Sequence, residues 1–159
     1  MTLIEDPGSG LFSEALLRAI LPNRIATARR TLKPLGLVMV SVEPVDRGSA
    51  PGAGPEIDLV QVGGTVARIL RDSDMAARLA DGRFALLLEF TPVEGCVIVA
   101  DRLQTILGRE RPELRVRVGL ACYPAHAIDD DELLGASSRA LAEARASGTP
   151  AVVVAPVAA

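Results

Sequence analysis

Apolar residues recur along this chain in two rhythms, and their alternation lays out the elements. Leu11, Ala15, Leu16, Ala19 and Ile20 fall at helical spacing and open a helix that runs to about Leu32, with Pro22 expected to break or kink it. Leu35–Val42 is a largely apolar run between Pro34 and Pro44 and suits a buried strand. Arg47–Pro55 is rich in Gly and Pro, has no apolar period and is expected to be a loop. Ile57–Leu70 returns to helical spacing. Met75–Leu79 and Phe84–Phe90 follow as short strand-like runs, joined by Ala80-Asp81-Gly82-Arg83 as a hairpin turn.

Thr91–Gly108 is again helical, with Pro92 in the first turn, where its missing N–H costs nothing. Leu114–Cys122 alternates as a strand, setting Arg115 and Arg117 on one face and Val116 and Val118 on the other. Asp129–Ser147 opens on Asp129, Asp130, Asp131 and Glu132, an acidic start that suits the free N–H groups and dipole of a helix. Ala151–Val154 reads as a last strand. The order predicts an α+β (mixed α/β) fold in which helices cover a five-stranded sheet. At 159 residues, with no internal repeat, a single domain is expected.

Composition narrows the function classes. Aromatic residues make up 3% of the chain and Trp is absent, so the core is built from Ala, Val, Leu and Ile, and few rings are left to stack on a base. A net charge of −3 argues against a nucleic-acid partner. Lys33 is the only lysine; the remaining positive charge is arginine, whose planar fork suits phosphates and guanine edges. Cys96 and Cys122 lack metal-ligand spacing and His126 is the only histidine, so no zinc site is expected. The two cysteines are expected to be isolated, reduced and buried, and His126 to lie at the surface. Gly63-Gly64 falls within a helix, where close packing is the expected reason. Ala50–Gly54 lacks the Lys-Ser/Thr of a phosphate loop. No apolar run is long enough to insert in a membrane, which leads to the expectation of a cytoplasmic protein.

One constellation carries specific chemistry. Arg71-Asp72-Ser73-Asp74 is followed, after five residues, by Ala80-Asp81-Gly82-Arg83-Phe84. This spacing resembles the Arg-x-x-Asp motif and signature hairpin, Gly-Gly-Asp/Glu-Glu-Phe, of the diguanylate cyclase (GGDEF) family. Asp6, Gly10 and Leu11 are similar to the family's opening motif, Ala100–Leu103 to a helical Ala-Asp/Glu-Arg-Leu run, and Val118-Gly119-Leu120-Ala121 to a strand Ser-Ile-Gly-Val-Ala without its Ser. Glu132-Leu133-Leu134 and Ala140–Arg145 resemble the closing helix. The resemblance spans residues 6–148 and implies the palm-like fold of nucleotide cyclases.

It also implies lost catalysis. In the family, Mg²⁺ is held by an Asp of the first strand motif and by the acidic third hairpin position; here these are Ser41 and Gly82, and Arg83 reverses the charge at the fourth. Glu43 is displaced two positions and Asp81 one, so neither is expected to rebuild the site. No catalytic residue, metal or cofactor is therefore expected. Ser49–Gly54 lacks the family's nucleotide-contacting Asn and His, and Thr149 replaces a later Arg. Asp58 and Arg145 match positions that hold guanine and phosphate, and remain candidates for residual GTP binding.

The intact Arg71 and Asp74, with Arg102 from the following helix, are the expected cyclic di-GMP contacts: Arg forks onto phosphate or guanine, and Asp accepts from guanine N1 and N2. The resemblance thus implies a cyclic di-GMP receptor that controls homodimerisation or docking to another signalling protein. Two alternatives stay open. Arg71 and Asp74 can be a relic in a nucleotide-independent interaction module, or the domain can bind GTP without turnover.

Overall fold

The structure is a computed structural model describing residues 11–45, 58–79, 82–147 and 152–157. Asp6, Gly10, the Arg47–Pro55 loop, Ala80, Asp81 and Thr149 lie outside the described residues.

The chain opens with a two-residue strand, β1 (Phe12–Ser13), and then helix α1 (Glu14–Thr31). The predicted helix start at Leu11 is thus too early. Ser13 caps α1 by accepting a hydrogen bond from Leu16 N–H at 3.2 Å, while Phe12 and Ser13 pair in parallel with Ala77 and Arg78. Pro22 does not end the helix, which runs through it to a left-handed Leu32. Leu17, Leu21, Ile25 and Ala28 form its buried stripe, so packing outweighs the hydrogen bond that Pro22 cannot make.

The next elements are β2 (Leu35–Pro44), α2 (Leu59–Ile69), β3 (Met75–Arg78) and β4 (Arg83–Glu89). They are followed by α3 (Val93–Glu110), β5 (Leu114–Tyr123), α4 (Asp130–Ala146) and β6 (Val152–Val154). The sheet has six strands in the order β1-β3-β4-β2-β5-β6, one more than expected, because β1 was read as the start of a helix. Its centre, β2, runs antiparallel to both β4 and β5.

Alternation along the strands divides the interior into two layers. Leu35, Leu37 and Met39 face α1 and α4, whereas Val38, Val40 and Val42 face α2 and α3. Gly119 lets α4 lie directly on β5: a Cβ there would stand 2.1 Å from Leu141 N. Gly36 leaves similar room on the other face, where a Cβ would stand 2.1 Å from Cys96 Sγ.

Three expectations about particular residues are corrected. Cys96 and Cys122 are buried and free, as expected, but not isolated, since their Sγ atoms approach to 3.5 Å. The hydrogen bond shared with Cys122, together with burial, pushes the Cys96 thiol far up. His126 is buried rather than at the surface. Its Nδ1 accepts from Cys122 N–H at 2.8 Å and so ties down the turn after β5, and burial lowers its pKa. In α2, Gly63 is buried but Gly64 faces open space, so packing does not account for the second glycine.

Candidate functional site

Arg71 and Asp74 form the turn between α2 and β3, and this turn is stitched to the end of β4. The Asp74 carboxylate is only 3% exposed and accepts four N–H groups. Arg71 N at 3.1 Å and Arg71 Nε at 3.2 Å reach Oδ2, while Arg71 Nη2 at 3.1 Å and Glu89 N at 3.2 Å reach Oδ1. Two donors on each oxygen fill the acceptor capacity of a carboxylate. Arg71 Nη2 also donates to Glu89 O and Thr91 Oγ1, both at 2.7 Å. The Asp74 hydrogen bond and charge raise the Arg71 pKa, so this guanidinium stays ionised.

The result is an arginine held on one edge and open on the other. Its side chain remains 59% exposed beside a cavity of about 290 Å³ lined by Phe12, Leu70, Arg71, Asp72, Asp74 and Met75, among others. Asp74, expected to accept from a base directly, is here occupied by three N–H groups of Arg71 and one of Glu89. The anchors Glu89 and Thr91 were not legible in the sequence, since they lie 18 and 20 residues away from Arg71 and act partly through backbone atoms. Arg102 is exposed on α3, beside Ile98, Asp101, Thr105 and Ile106 at a separate shallow cavity, and does not line the Arg71 cavity.

The hairpin lies at the other end of β4. Gly82 has a left-handed φ of +72°, a conformation that L side chains rarely adopt, and a Cβ there would stand 3.2 Å from Val42 O. Gly82 therefore serves the turn backbone, with its own O accepting from Val42 N–H at 3.2 Å. Phe84 is fully buried and Arg83 begins β4. Ser41, also buried, pairs across the sheet with Arg83 on one side and Arg117 on the other. Ser41 Oγ donates to Glu43 Oε1 at 3.2 Å, and the same Glu43 oxygen receives Arg145 Nη2 at 2.7 Å.

Asp58 and Arg145, the GTP candidates, have separate local partners. Asp58 caps α2 by accepting from Val60 N at 3.1 Å and Gln61 N at 3.2 Å, whereas Arg145 pairs with Glu43 at the end of α4. Among the described residues, no three His, Cys, Asp or Glu side chains gather as metal ligands. No helix among them is long and apolar enough to cross a membrane.

Residues 52–150 match the family model described as diguanylate cyclase, GGDEF domain. A comparison with curated proteins gives no match. The fold is similar to that of the isolated GGDEF domain of TpbB (YfiN) from Pseudomonas aeruginosa, at 23% identity over 96% of this chain and 94% of that one, with a TM-score of 0.80. It is also similar to the GGDEF domain of DgcB from Caulobacter crescentus in complex with cyclic di-GMP (14% identity, 97% and 96% covered, TM-score 0.82). Diguanylate cyclase SiaD from P. aeruginosa, in complex with its activator SiaC, matches at 21% identity over 96% of this chain and 62% of that one, with a TM-score of 0.81.

Proposed function

The chain belongs to the GGDEF domain family, and from that premise we propose that it is a cyclase-inactive member that binds cyclic di-GMP at the Arg71 turn. The nucleotide in turn controls dimerisation or the docking of another signalling protein. The observation that carries this reading is the state of Arg71. It is ionised, clamped by Asp74, Glu89 and Thr91, and still more than half exposed at the edge of a cavity. Holding the guanidinium in place before the ligand arrives removes part of the ordering cost of binding. Asp74 is a positioning residue in this scheme, and the outer edge of Arg71 makes the phosphate or guanine contact. The cyclic di-GMP complex of the similar DgcB domain and the activator complex of SiaD are consistent with a nucleotide-dependent, partner-binding role.

Lost catalysis is supported by the metal-ligand positions themselves. Ser41 offers a hydroxyl already donated to Glu43, and Gly82 offers no side chain and a backbone hostile to one.

Titration calorimetry of the folded chain with cyclic di-GMP tests the reading. A micromolar or tighter saturable isotherm is expected, weakened at least roughly tenfold in Arg71→Ala, as befits loss of a charged hydrogen-bond donor. Asp74→Asn should weaken binding less, because it loosens the clamp without removing the contact. No heat from the wild-type chain would sink the proposal.

One observation favours a second reading. Because Asp74 is saturated from within, Arg71 and Asp74 also serve as a structural latch between α2 and β4, as a nucleotide-independent interaction module would need. Under that reading Arg71→Ala lowers the melting temperature, while oligomeric state and partners stay unchanged with or without nucleotide.

A further inference from the structure

The aromatic residues of this chain are three Phe and one Tyr. Phe84 and Tyr123 are buried in the two layers of the core. The two exposed rings both belong to the neighbourhood of the Arg71 turn. Phe12 lines the Arg71 cavity, and Phe90 stands between Glu89 and Thr91, the two residues that accept from Arg71 Nη2 beside Asp74. Because β3 lies between β1 and β4 in the sheet, Phe12 and Phe90 come to the turn from opposite sides of β3.

Phe90 is the more telling of the two. It is 50% exposed and belongs to neither layer of the core. Its φ of +53° is left-handed, a poor conformation for a bulky side chain and an easy one for Gly or Asn. The clamp needs that backbone turn, which lets Glu89 O and Thr91 Oγ1 face the same Arg71 nitrogen while Thr91 Oγ1 donates to Glu89 O at 2.8 Å. It does not need a phenyl ring. Nor does the ring rest on a cation, since among the described residues the guanidinium–ring contact is Arg78 over Phe84. A strained, exposed ring that the fold does not use points to a ligand.

The hydrogen bonds at Arg71 show what such a ring adds. Nε and Nη2 are engaged by Asp74, Glu89 and Thr91, and Asp74 has no acceptor site left. Among the described residues only Nη1 of this guanidinium has no hydrogen-bond partner. A base held by its edge alone would depend on that single nitrogen. A ring against the face of the base supplies a second, independent contact.

We propose that Phe90 is a base-stacking residue, and that the group held at the Arg71 turn is a guanine base. Arg71 Nη1 donates to the O6/N7 edge, and the Phe90 ring covers the face. A phosphate has no flat face for the ring to cover, so this narrows the Arg71 contact to the base. The inference rests on the reading that the turn binds cyclic di-GMP.

The experiment is calorimetry with cyclic di-GMP on the full chain and on Phe90→Asn, Phe90→Leu and Phe90→Tyr. Asn tolerates a left-handed φ, so Phe90→Asn should melt roughly 2–4 °C higher than wild type, which separates loss of the ring from loss of the fold. The same variant should bind cyclic di-GMP roughly fivefold or more weakly. Phe90→Leu, which keeps apolar bulk without a flat face, should weaken binding likewise, and Phe90→Tyr should stay within roughly twofold of wild type. The chain has no Trp, so Phe90→Trp adds a lone fluorophore whose emission a stacked guanine should quench saturably. A wild-type chain that gives no heat overturns this proposal together with the reading beneath it. Wild-type binding that is unchanged in Phe90→Asn, retained in Phe90→Leu, or accompanied by no quenching in Phe90→Trp overturns the stacking role alone and leaves the Arg71 contact standing.

Discussion

A side chain's neighbours decide what it can do, and Asp74 shows how strongly. From the sequence it is expected to accept from a guanine edge; in the folded chain all four of its acceptor sites are filled from Arg71 and Glu89. The sequence made the pair visible because the two residues are three apart, but it could not reveal the backbone of Glu89 closing over them. His126 is the same lesson in reverse, since its small neighbours suggested exposure and its burial follows from the turn after β5. Its pKa lies below the ordinary 6.5 because burial disfavours the charged form. The unfolded chain therefore binds more protons in this window, and stability is full above 6.5 and declines as pH falls below it towards the folded-state pKa. Thermal melts at pH 7.5 and 5.5 should show a smaller acid-induced drop in His126→Asn, which keeps an acceptor for Cys122 N–H but does not titrate. Equal drops in both proteins would remove His126 as the cause.

Elements were more legible than single contacts, because an apolar period survives any particular packing partner. β2, β4, β5, α3 and α4 all lie where the period and the acidic helix start put them, and Asp129 caps α4 by accepting from Glu132 N–H at 2.8 Å. The start of α1 was misread because Leu11 falls in step with the apolar period of the helix, although Ser13 is the better N-cap and Phe12 has a strand edge to pair with. What the period cannot give is how closely two elements approach. At Gly119 the backbone of α4 lies so near β5 that a methyl group would meet Leu141 N at 2.1 Å and Ala140 C at 2.4 Å. Rigid backbone cannot yield as a side-chain tip can, so Gly119→Ala should cost about 3 kcal/mol, or roughly 6–12 °C in melting temperature for a chain of this size. A melt within roughly 2 °C of wild type would show that α4 can shift outward freely.

At the scale of the molecule, the two ends of the sheet carry different chemistry. One end holds the clamped Arg71, and the other carries Ser41 between Arg83 and Arg117. Incubation of the pure chain with GTP and either Mg²⁺ or Mn²⁺ is accordingly expected to yield no cyclic di-GMP by chromatography; formation of that product would show that Ser41 and Gly82 are compatible with catalysis. The sequence by itself determined the family and the order of the elements from α1 onward, because these depend on residue type and spacing along the chain. It also set Arg115 and Arg117 on one face of a strand. Only the tertiary structure decided that α4 covers that face, that Arg117 is buried there beside Ser41 and Arg145, and that Asp74 is spent on Arg71. Those facts arise from β2 lying between β4 and β5 and from helices docking on both faces of the sheet, contacts between distant residues that no local pattern records.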